Sequence, residues 1–186
     1  MRKPLRIILL VAASGGFIAS ANAFDLRGTM WEEFGNAKAL DPLLLYALAL
    51  AESRYGAGGS LVRPHPYAIN CKGSKPVYPE TREKAEVYLR TELKRTNLCD
   101  VGVMQVNIRW NGHRVKRFED LFDIRTNAKI GTQILREAID ARPGDIELAI
   151  GGYNTQNPDK EETSRAYARN VLGIWRRLQI LSAQVK

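Results

Sequence analysis

The apolar residues of this chain recur with helical spacing over most of its length. Six segments carry apolar positions three or four residues apart, and each predicts a helix. These segments cover residues 30–39, 42–55, 81–95, 125–141, 146–153 and 163–181. Medium-length helices joined by short connections are typical of a compact, mainly α domain.

Two stretches between the predicted helices lack this spacing. Residues 56–79 are rich in glycine, proline and polar side chains, and within them residues 65–70 and 75–78 flank Gly73-Ser74. This pattern predicts a small β-hairpin, or an irregular insertion beside the second helix that forms a substrate wall or only a surface excursion. Residues 101–107 mix apolar and polar positions without a clean period.

Four predicted helices are preceded by side chains that cap helices. These residues are Thr29, Asp41, Asp123 and Asp145. Thr29 and Glu32 have the spacing of a capping box, and Pro42 occupies the first helical position after Asp41. The start of each of these helices is therefore encoded locally.

The second predicted helix carries one carboxylate, Glu52, within an apolar run. At about 100° per residue, Glu52 shares the face that such a helix buries with Leu44, Leu45, Leu48 and Tyr55. Burial and the negative end of the helix dipole both raise a carboxyl pKa, which suits a general acid near neutral pH. The stretch also allows Glu52 to pair with Arg54 or a distant arginine, or to face solvent.

The first 23 residues have the pattern of an export signal. Basic residues precede an apolar segment over residues 7–19 that is too short to span a bilayer, and Ala21-Asn22-Ala23 forms a small-x-small cleavage site. We predict cleavage before Phe24, which leaves a single domain over residues 24–186. An uncleaved anchor is the alternative.

The charge and the residue composition limit which partners and cofactors the chain is expected to bind. The formal charge of +8 suits an anionic polymer or surface, but no dense Lys/Arg tract indicates nucleic acid. No later apolar segment is long enough to span a membrane. The two histidines, His65 and His113, are far apart and no metal-binding motif contains them, so we expect no metal and no organic cofactor.

The chain has two cysteines, Cys71 and Cys99. In an oxidising compartment, a disulfide between them is a better interpretation than a catalytic thiol. Its loop would stabilise the fold by about 3 kcal/mol on the loop-entropy model.

Three short motifs follow one another in the chain. They are Glu52-Ser53, Gly102-Val103-Met104-Gln105 and the stretch from Ala149 to Asn154. At these separations they resemble the family 1 lytic transglycosylases, the SLT domain. Residues 66–70 and the extension of the second motif to Asn107 resemble most the small members associated with type IV secretion, conjugation, pilus and invasion systems.

The resemblance implies a lysozyme-like, mainly α fold that cleaves the β-1,4 bond between N-acetylmuramic acid and N-acetylglucosamine. The family ends this reaction in a 1,6-anhydro ring, and Glu52 matches its catalytic acid/base. The implied location is the periplasm. The implied partners are peptidoglycan glycan strands and components of an envelope-spanning secretion or conjugation machine, for which the enzyme would open the wall locally.

The resemblance also assigns substrate-cleft roles to other residues. Ser53 matches a residue that helps hold the Glu52 carboxyl, and Tyr153 and Asn154 match a pair that faces the sugar. Tyr167 matches the closing-helix tyrosine, although it also fits the packing face of that helix. The second motif supplies the remaining cleft residues, which are Met104, Gln105 and Asn107; Met104 fits a core position equally well.

The chain departs from the family pattern at several positions. Val103 replaces the commoner leucine, and Gly152 replaces the commoner alanine before Tyr153. Thr155-Gln156 stands where Ala-Gly usually follows the Tyr-Asn pair. These changes put the following loop and its substrate contacts in doubt, but not Glu52.

Most glycosidases use two carboxyls. The best-placed partner for Glu52 is Asp100, but we favour its interpretation as a loop or capping aspartate. A single carboxyl predicts substrate assistance, in which Glu52 both donates and accepts the proton. The alternatives are a lysozyme-type muramidase that uses water and a non-catalytic glycan-binding assembly factor.

Overall fold

The helices predicted from the apolar spacing form the bulk of the protein. The structure is a computed structural model that describes residues 24–56 and 62–183. The predicted export signal, residues 1–23, lies outside the described residues. Within them the α-helices are α1 (Met30–Ala37), α2 (Pro42–Ser53), α3 (Arg82–Leu93), α4 (Ile108–Asn111), α5 (Ile124–Asp140), α6 (Ile146–Gly151) and α7 (Glu161–Ala183). The predicted mainly α class is confirmed.

The central helix α2 is buried on nearly all sides between α1 and α7. Asp41 caps it as predicted, because its side chain accepts a hydrogen bond from the Leu43 backbone N–H at 2.8 Å. Every residue from Leu44 to Leu50 is buried. The helix therefore has no solvent-facing side along this stretch. The sequence predicted only one buried face, so it underestimated the burial of α2.

The predicted end of α2 near Tyr55 was wrong. The helix ends at Ser53, and strand β1 (Arg54–Gly56) follows and pairs antiparallel with β2 (Val62–Pro64). The ring of Tyr55 packs against the rings of His65 and Tyr78, at centroid distances of 5.0 and 5.2 Å. Because strand pairing and ring packing compete with the last helical turn, Tyr55 leaves the face that carries Glu52 and is 42% exposed.

The predicted capping box at α1 was also wrong. The Thr29 hydroxyl donates to the Leu26 carbonyl at 2.6 Å instead of capping the helix. The Glu32 carboxylate accepts from the Gly28 backbone N–H at 2.7 Å, one residue before the expected partner. At α5 and α6 the predicted caps do form, because Asp123 and Asp145 accept from backbone N–H groups of the first turn.

A three-stranded antiparallel sheet contains β3 (Ile69–Cys71), β4 (Cys99–Val101) and β5 (Val106–Asn107), with β4 in the middle. The predicted hairpin would pair residues 65–70 with residues 75–78. In the structure, β3 pairs with β4 instead. Val77 makes only an isolated bridge to Ile69. Cys71 lies opposite Cys99 in the β3–β4 register and is bonded to it, which confirms the predicted disulfide.

Two apolar clusters divide the molecule. The helix side, formed by α1, α2, α6 and α7, has its core around Leu45, Leu48 and Ile150. The sheet side, formed by the three-stranded sheet and α3, has its core around Leu89 and Val101. Helix α5 contributes buried residues to both clusters. No helix in the described part of the chain has the length and apolar character to cross a membrane.

Candidate active site

A cavity of about 600 Å³ lies where the two sides meet. Glu52 from α2 and Tyr153, which follows α6, line it from the helix side. Asp100 from β4 and Asn107 from β5 line it from the sheet side. The cavity therefore brings together residues as far apart in the chain as Glu52 and Gln156, which are 104 positions apart. Its size is that of a ligand-binding cleft.

Glu52 is the penultimate residue of α2 and is half-buried at the cavity. Burial raises the pKa of Glu52 to about 7, a hydrogen bond from Tyr167 opposes this rise, and the charge of Asp100 adds to it. No ion pair among the described residues includes Glu52. A carboxyl with this pKa is partly protonated at neutral pH, as a general acid must be.

Tyr167 contacts Glu52 directly. Its hydroxyl, carried by α7, donates a hydrogen bond to Oε1 of Glu52. Burial raises the pKa of Tyr167 well above its usual value, and the Glu52 charge adds to the effect, so the hydroxyl stays protonated and remains a donor. The interpretation of Tyr167 as a packing residue alone therefore misses its main contact.

Tyr153 is held beside Glu52 by the second motif. Its hydroxyl donates to the Met104 carbonyl at 2.6 Å. Burial raises the pKa of Tyr153 well above its usual value, with smaller contributions from the charges of Glu52 and Asp100. Tyr153 is thus a neutral side chain whose position depends on the backbone of residue 104.

Met104 itself does not line the cavity, which corrects the predicted cleft role. Its side chain is fully buried and packs against α5 at Gly131, where an added Cβ would lie 2.5 Å from the Met104 sulfur. Met104 is therefore a core residue, and its carbonyl oxygen is the part that serves the site.

Ser53 also differs from its predicted role. It is fully buried, and its hydroxyl bonds the Val103 carbonyl at 2.8 Å and accepts from the His65 backbone N–H at 3.2 Å. It makes no hydrogen bond to the Glu52 carboxyl among the described contacts. Ser53 fastens the end of α2 to the second motif, so it positions the neighbouring Glu52 through the backbone.

Gln105 lines the cavity but uses its side chain within the loop. Its Nε2 donates to the carbonyls of Ala68 and Gly102 at 3.1 and 3.0 Å. Its backbone has a positive φ of 43°, and the nearby Gly102 has a φ of 81°. An added Cβ at Gly102 would lie 2.2 Å from Asn127 Nδ2, so the glycine of the motif is required by close packing as well as by conformation.

Asn127 is a positioning residue that the sequence interpretation missed. It is fully buried on α5, and its Nδ2 donates to the carbonyls of Val101 and Leu121 at 2.7 and 2.9 Å. Its Oδ1 accepts from the Met104 backbone N–H at 2.9 Å. The available indication was an asparagine on the core side of a predicted helix, because a buried amide needs partners from elsewhere in the fold.

Asp100 is neither a loop residue nor a cap, so the favoured interpretation was wrong. It lies in the middle of β4 opposite Asn107 of β5, whose Nδ2 donates to Asp100 Oδ1 at 2.7 Å. Burial raises the pKa of Asp100, and the hydrogen bond from Asn107 opposes the rise. A second, half-buried carboxyl therefore lines the same cavity as Glu52.

The remaining predicted residues lie on the cavity wall. Asn154 is exposed there, and Asn107 both lines the cavity and caps α4 by accepting from the Trp110 backbone N–H at 3.3 Å. Thr155 and Gln156 also line the cavity, so the departure from the family pattern falls in its wall. Among the described residues, no group of three His, Cys, Asp or Glu side chains is placed to hold a metal ion.

A partly protonated glutamic acid at a helix end, beside an open cavity in a mainly α domain, defines a glycosidase-type site of the lysozyme class. The family model described as the Transglycosylase SLT domain matches residues 29–170, which is more than half of the chain, so the protein belongs to this family. Its fold is accordingly lysozyme-like. No curated protein and no solved structure matches the chain.

Family membership gives the site its general chemistry. The SLT domain indicates lytic transglycosylase activity on peptidoglycan, and such domains usually act outside the cytoplasm. The matched region contains every candidate residue from Glu52 to Tyr167.

Proposed function

We propose that this protein is a lytic transglycosylase that cleaves the bond between N-acetylmuramic acid and N-acetylglucosamine and leaves a 1,6-anhydro-muramyl end. The observation that carries the proposal is Glu52, which has a pKa near 7 and a tyrosine donor on its carboxylate beside an open cavity. A carboxyl with this pKa can give up a proton and take one back at neutral pH.

In the proposed reaction, Glu52 donates its proton to the glycosidic oxygen as the bond from that oxygen to the muramyl C1 breaks. The 2-acetamido group of the muramyl residue stabilises the positive charge at C1. The C6 hydroxyl oxygen then bonds to C1, and its proton returns to Glu52. The tyrosine donor supports the anionic form of Glu52 between the two transfers, because a hydrogen bond to a carboxylate stabilises its charge.

The product of the reaction tests this proposal. Mass analysis of digested peptidoglycan should find muropeptides that end in the anhydro form, which is lighter than the hydrolysed form by one water. A digest that contains only reducing ends would contradict the ring closure, although it would still show glycan cleavage.

The Glu52→Gln variant tests the acid/base assignment. It keeps the size of the side chain and an oxygen that accepts from Tyr167, but its amide cannot act as a general acid. We expect lytic activity to fall at least about a hundredfold, with glycan binding retained. Unchanged lysis would contradict the assignment. Lysis by neither protein, together with binding by both, would favour a non-catalytic glycan-binding factor.

One observation favours a second candidate, a muramidase that uses water. Asp100 is a half-buried carboxyl that lines the same cavity as Glu52, and a two-carboxyl glycosidase needs a second carboxyl at its site. In that mechanism, the Asp100 carboxylate would assist water or stabilise the charge at C1. The product analysis separates the two candidates, and Asp100→Asn would abolish hydrolysis in the second while leaving ring closure possible in the first.

We also propose that the protein acts in the periplasm and opens the wall for an envelope-spanning secretion, conjugation or pilus machine. The support is the export-signal pattern of residues 1–23 and the resemblance of residues 66–70 and 101–107 to small members with such roles. Cell fractionation with mass analysis of the mature protein should find it outside the cytoplasm and beginning at Phe24. Retention of the protein in the cytoplasm would contradict this proposal, but it would not contradict the proposed glycan cleavage.

A further inference from the structure

Trp110 is an exposed aromatic residue that the fold does not account for. The indole is 66% exposed, whereas Trp31 is 4% exposed and Trp175 is bonded through its N–H to Asp41 at 2.8 Å. Tryptophan has more apolar surface than other residues, and folding normally buries most of it. An exposed indole on a cavity wall therefore indicates a contact that is made with something other than this chain.

The backbone of Trp110 is hydrogen-bonded, and one neighbouring side chain packs against its ring. The Trp110 backbone N–H donates to Asn107 Oδ1 at 3.3 Å, which fixes α4 to the end of β5. The Arg109 guanidinium packs against the ring, at 5.2 Å from its centroid, and Arg109 is in turn within 3.5 Å of Asn97 Oδ1. The backbone at this position is therefore fixed, while the ring itself stays accessible to a ligand.

Three polar side chains line the cavity together with Trp110. Asn111 accepts from Arg114 Nε at 3.0 Å, and Arg114 forms a bidentate pair with Glu137 at 2.9 and 2.7 Å. All four side chains line the same cavity as Glu52, but none of them hydrogen-bonds Glu52 or alters its pKa. They form a separate polar group with an aromatic surface, which we call the indole subsite.

We propose that the indole subsite binds a pyranose ring of an N-acetylated amino sugar, at a position of the glycan strand other than the cleaved bond. Such a ring has an apolar C–H face that packs on an aromatic face, and an edge of hydroxyl and acetamide groups that hydrogen-bond amides, guanidinium and carboxylate groups. The combination of Trp110 with Asn111, Arg114 and Glu137 matches both parts. This inference rests on the proposed function, because it assigns a further part of the same substrate.

The test uses peptide-free glycan strands and the Glu52→Gln protein, which binds without cleaving. Titration should change the indole fluorescence, and the change should disappear in the Glu52→Gln, Trp110→Phe double variant. A purely structural role for Trp110 would not move this signal. Retention of the full fluorescence change in the double variant would overturn the subsite.

Kinetics supply a second readout in the protein with intact Glu52. Trp110→Ala should raise the KM for glycan strands about tenfold with kcat little changed, and Trp110→Phe should recover part of the loss. The matched control is Ile180→Ala, which truncates a 62% exposed side chain on α7 outside the cavity lining and should leave KM unchanged. An unchanged KM in Trp110→Ala overturns the subsite.

The outcomes separate this inference from the proposed function. Glycan cleavage by the unaltered protein, with normal KM in Trp110→Ala, contradicts the subsite alone. Absence of both cleavage by the unaltered protein and binding by Glu52→Gln contradicts the proposed function and the subsite together. Loss of affinity only for strands that carry stem peptides would identify the peptide as the occupant and would overturn the sugar assignment.

Discussion

The helix side and the sheet side of the cavity act on the same carboxyl in opposite directions. From the helix side, Tyr167 donates a hydrogen bond that stabilises the anionic form of Glu52. From the sheet side, the charge of Asp100 favours the protonated form. Burial is the largest contribution and outweighs the hydrogen bond from Tyr167, so the pKa of Glu52 is raised to about 7. The two sides therefore adjust a pKa that is raised mainly by the burial of Glu52 at the end of α2.

The two sides also differ in how they are held. The helix side rests on long helices with a broad apolar core around Leu45 and Leu48. The sheet side presents Asp100 on strands of two or three residues, which need other constraints to stay paired. Those constraints are the disulfide between Cys71 and Cys99 and the hydrogen bonds of Asn127.

The largest expected effect on stability comes from the disulfide. Replacing Cys71 and Cys99 together by alanine should lower the free energy of unfolding by about 3 kcal/mol, because the open loop has more freedom in the unfolded chain. Denaturant unfolding measures the change. Reducing agent should reproduce it in the unaltered protein and have no effect on the double variant.

Hydrogen exchange on the same variants compares the local stability of the helix side and the sheet side. Amide protection should fall first in β3 and β4 and least in α2, because the apolar core of the helix side does not depend on the disulfide. Equal loss of protection in α2 would contradict the division into two sides.

The sequence predicted the helix side much better than the sheet side, for a physical reason. Helix α7 shows a local apolar period, α2 is a helix-favouring apolar run, and Asp41 and Asp145 cap α2 and α6 through contacts two or three residues away. Strands β3 and β4 pair residues 28 to 32 positions apart, and strands of two or three residues are too short to show a period of two. Asp100 was assigned wrongly for this reason.

The candidate site residues also divide into those with a local sequence signal and those that depend on distant contacts. Glu52 was identified because a carboxylate stood out in a local apolar run, and Tyr167 was carried over from the family resemblance. Ser53 and Met104 were misplaced, because their side chains satisfy non-local packing and hydrogen bonds that no spacing reveals. Asn127 was missed altogether, since its three partners come from two other segments.

The second expected effect concerns the cost of burying Glu52. Its pKa is about 7 in the folded protein against 4.5 for the ordinary side chain. The folded state therefore binds more protons than the unfolded state between these values, so stability falls as pH rises through this window. Glu52→Gln should not lose this stability. Its advantage over the unaltered protein should grow by about 2–3 kcal/mol from pH 4 to pH 8.

Denaturant unfolding at several pH values measures this difference. Glu147→Gln is a suitable control, because Glu147 is a partly exposed carboxylate on α6 outside the cavity. Because Glu147 pairs with Arg165 and does not line the cavity, its variant should gain no stability over the unaltered protein as pH rises. An advantage of Glu52→Gln that does not grow with pH would show that burial does not raise the pKa of Glu52.

A smaller effect is expected when the sheet-side charge is removed. Asp100→Asn keeps an oxygen to accept from Asn107 but carries no charge, so the pKa of Glu52 should fall. Catalysis needs protonated Glu52, and the alkaline limb of the kcat/KM profile should therefore move to lower pH. Asp159→Asn, which removes an exposed charge outside the cavity, is the control and should leave the limb in place.

Removing the hydrogen-bond donor on the helix side should move the alkaline limb of the kcat/KM profile to higher pH. Tyr167→Phe removes the donor that stabilises anionic Glu52, so the pKa of Glu52 should rise and the alkaline limb should move to higher pH. Tyr153→Phe loses a hydroxyl that bonds Met104 and not Glu52, so any loss of activity there should come without this displacement. If Asp100→Asn and Tyr167→Phe displaced the limb in the same direction, the two sides would not oppose each other at Glu52, because a lost like charge and a lost hydrogen bond change a carboxyl pKa with opposite signs.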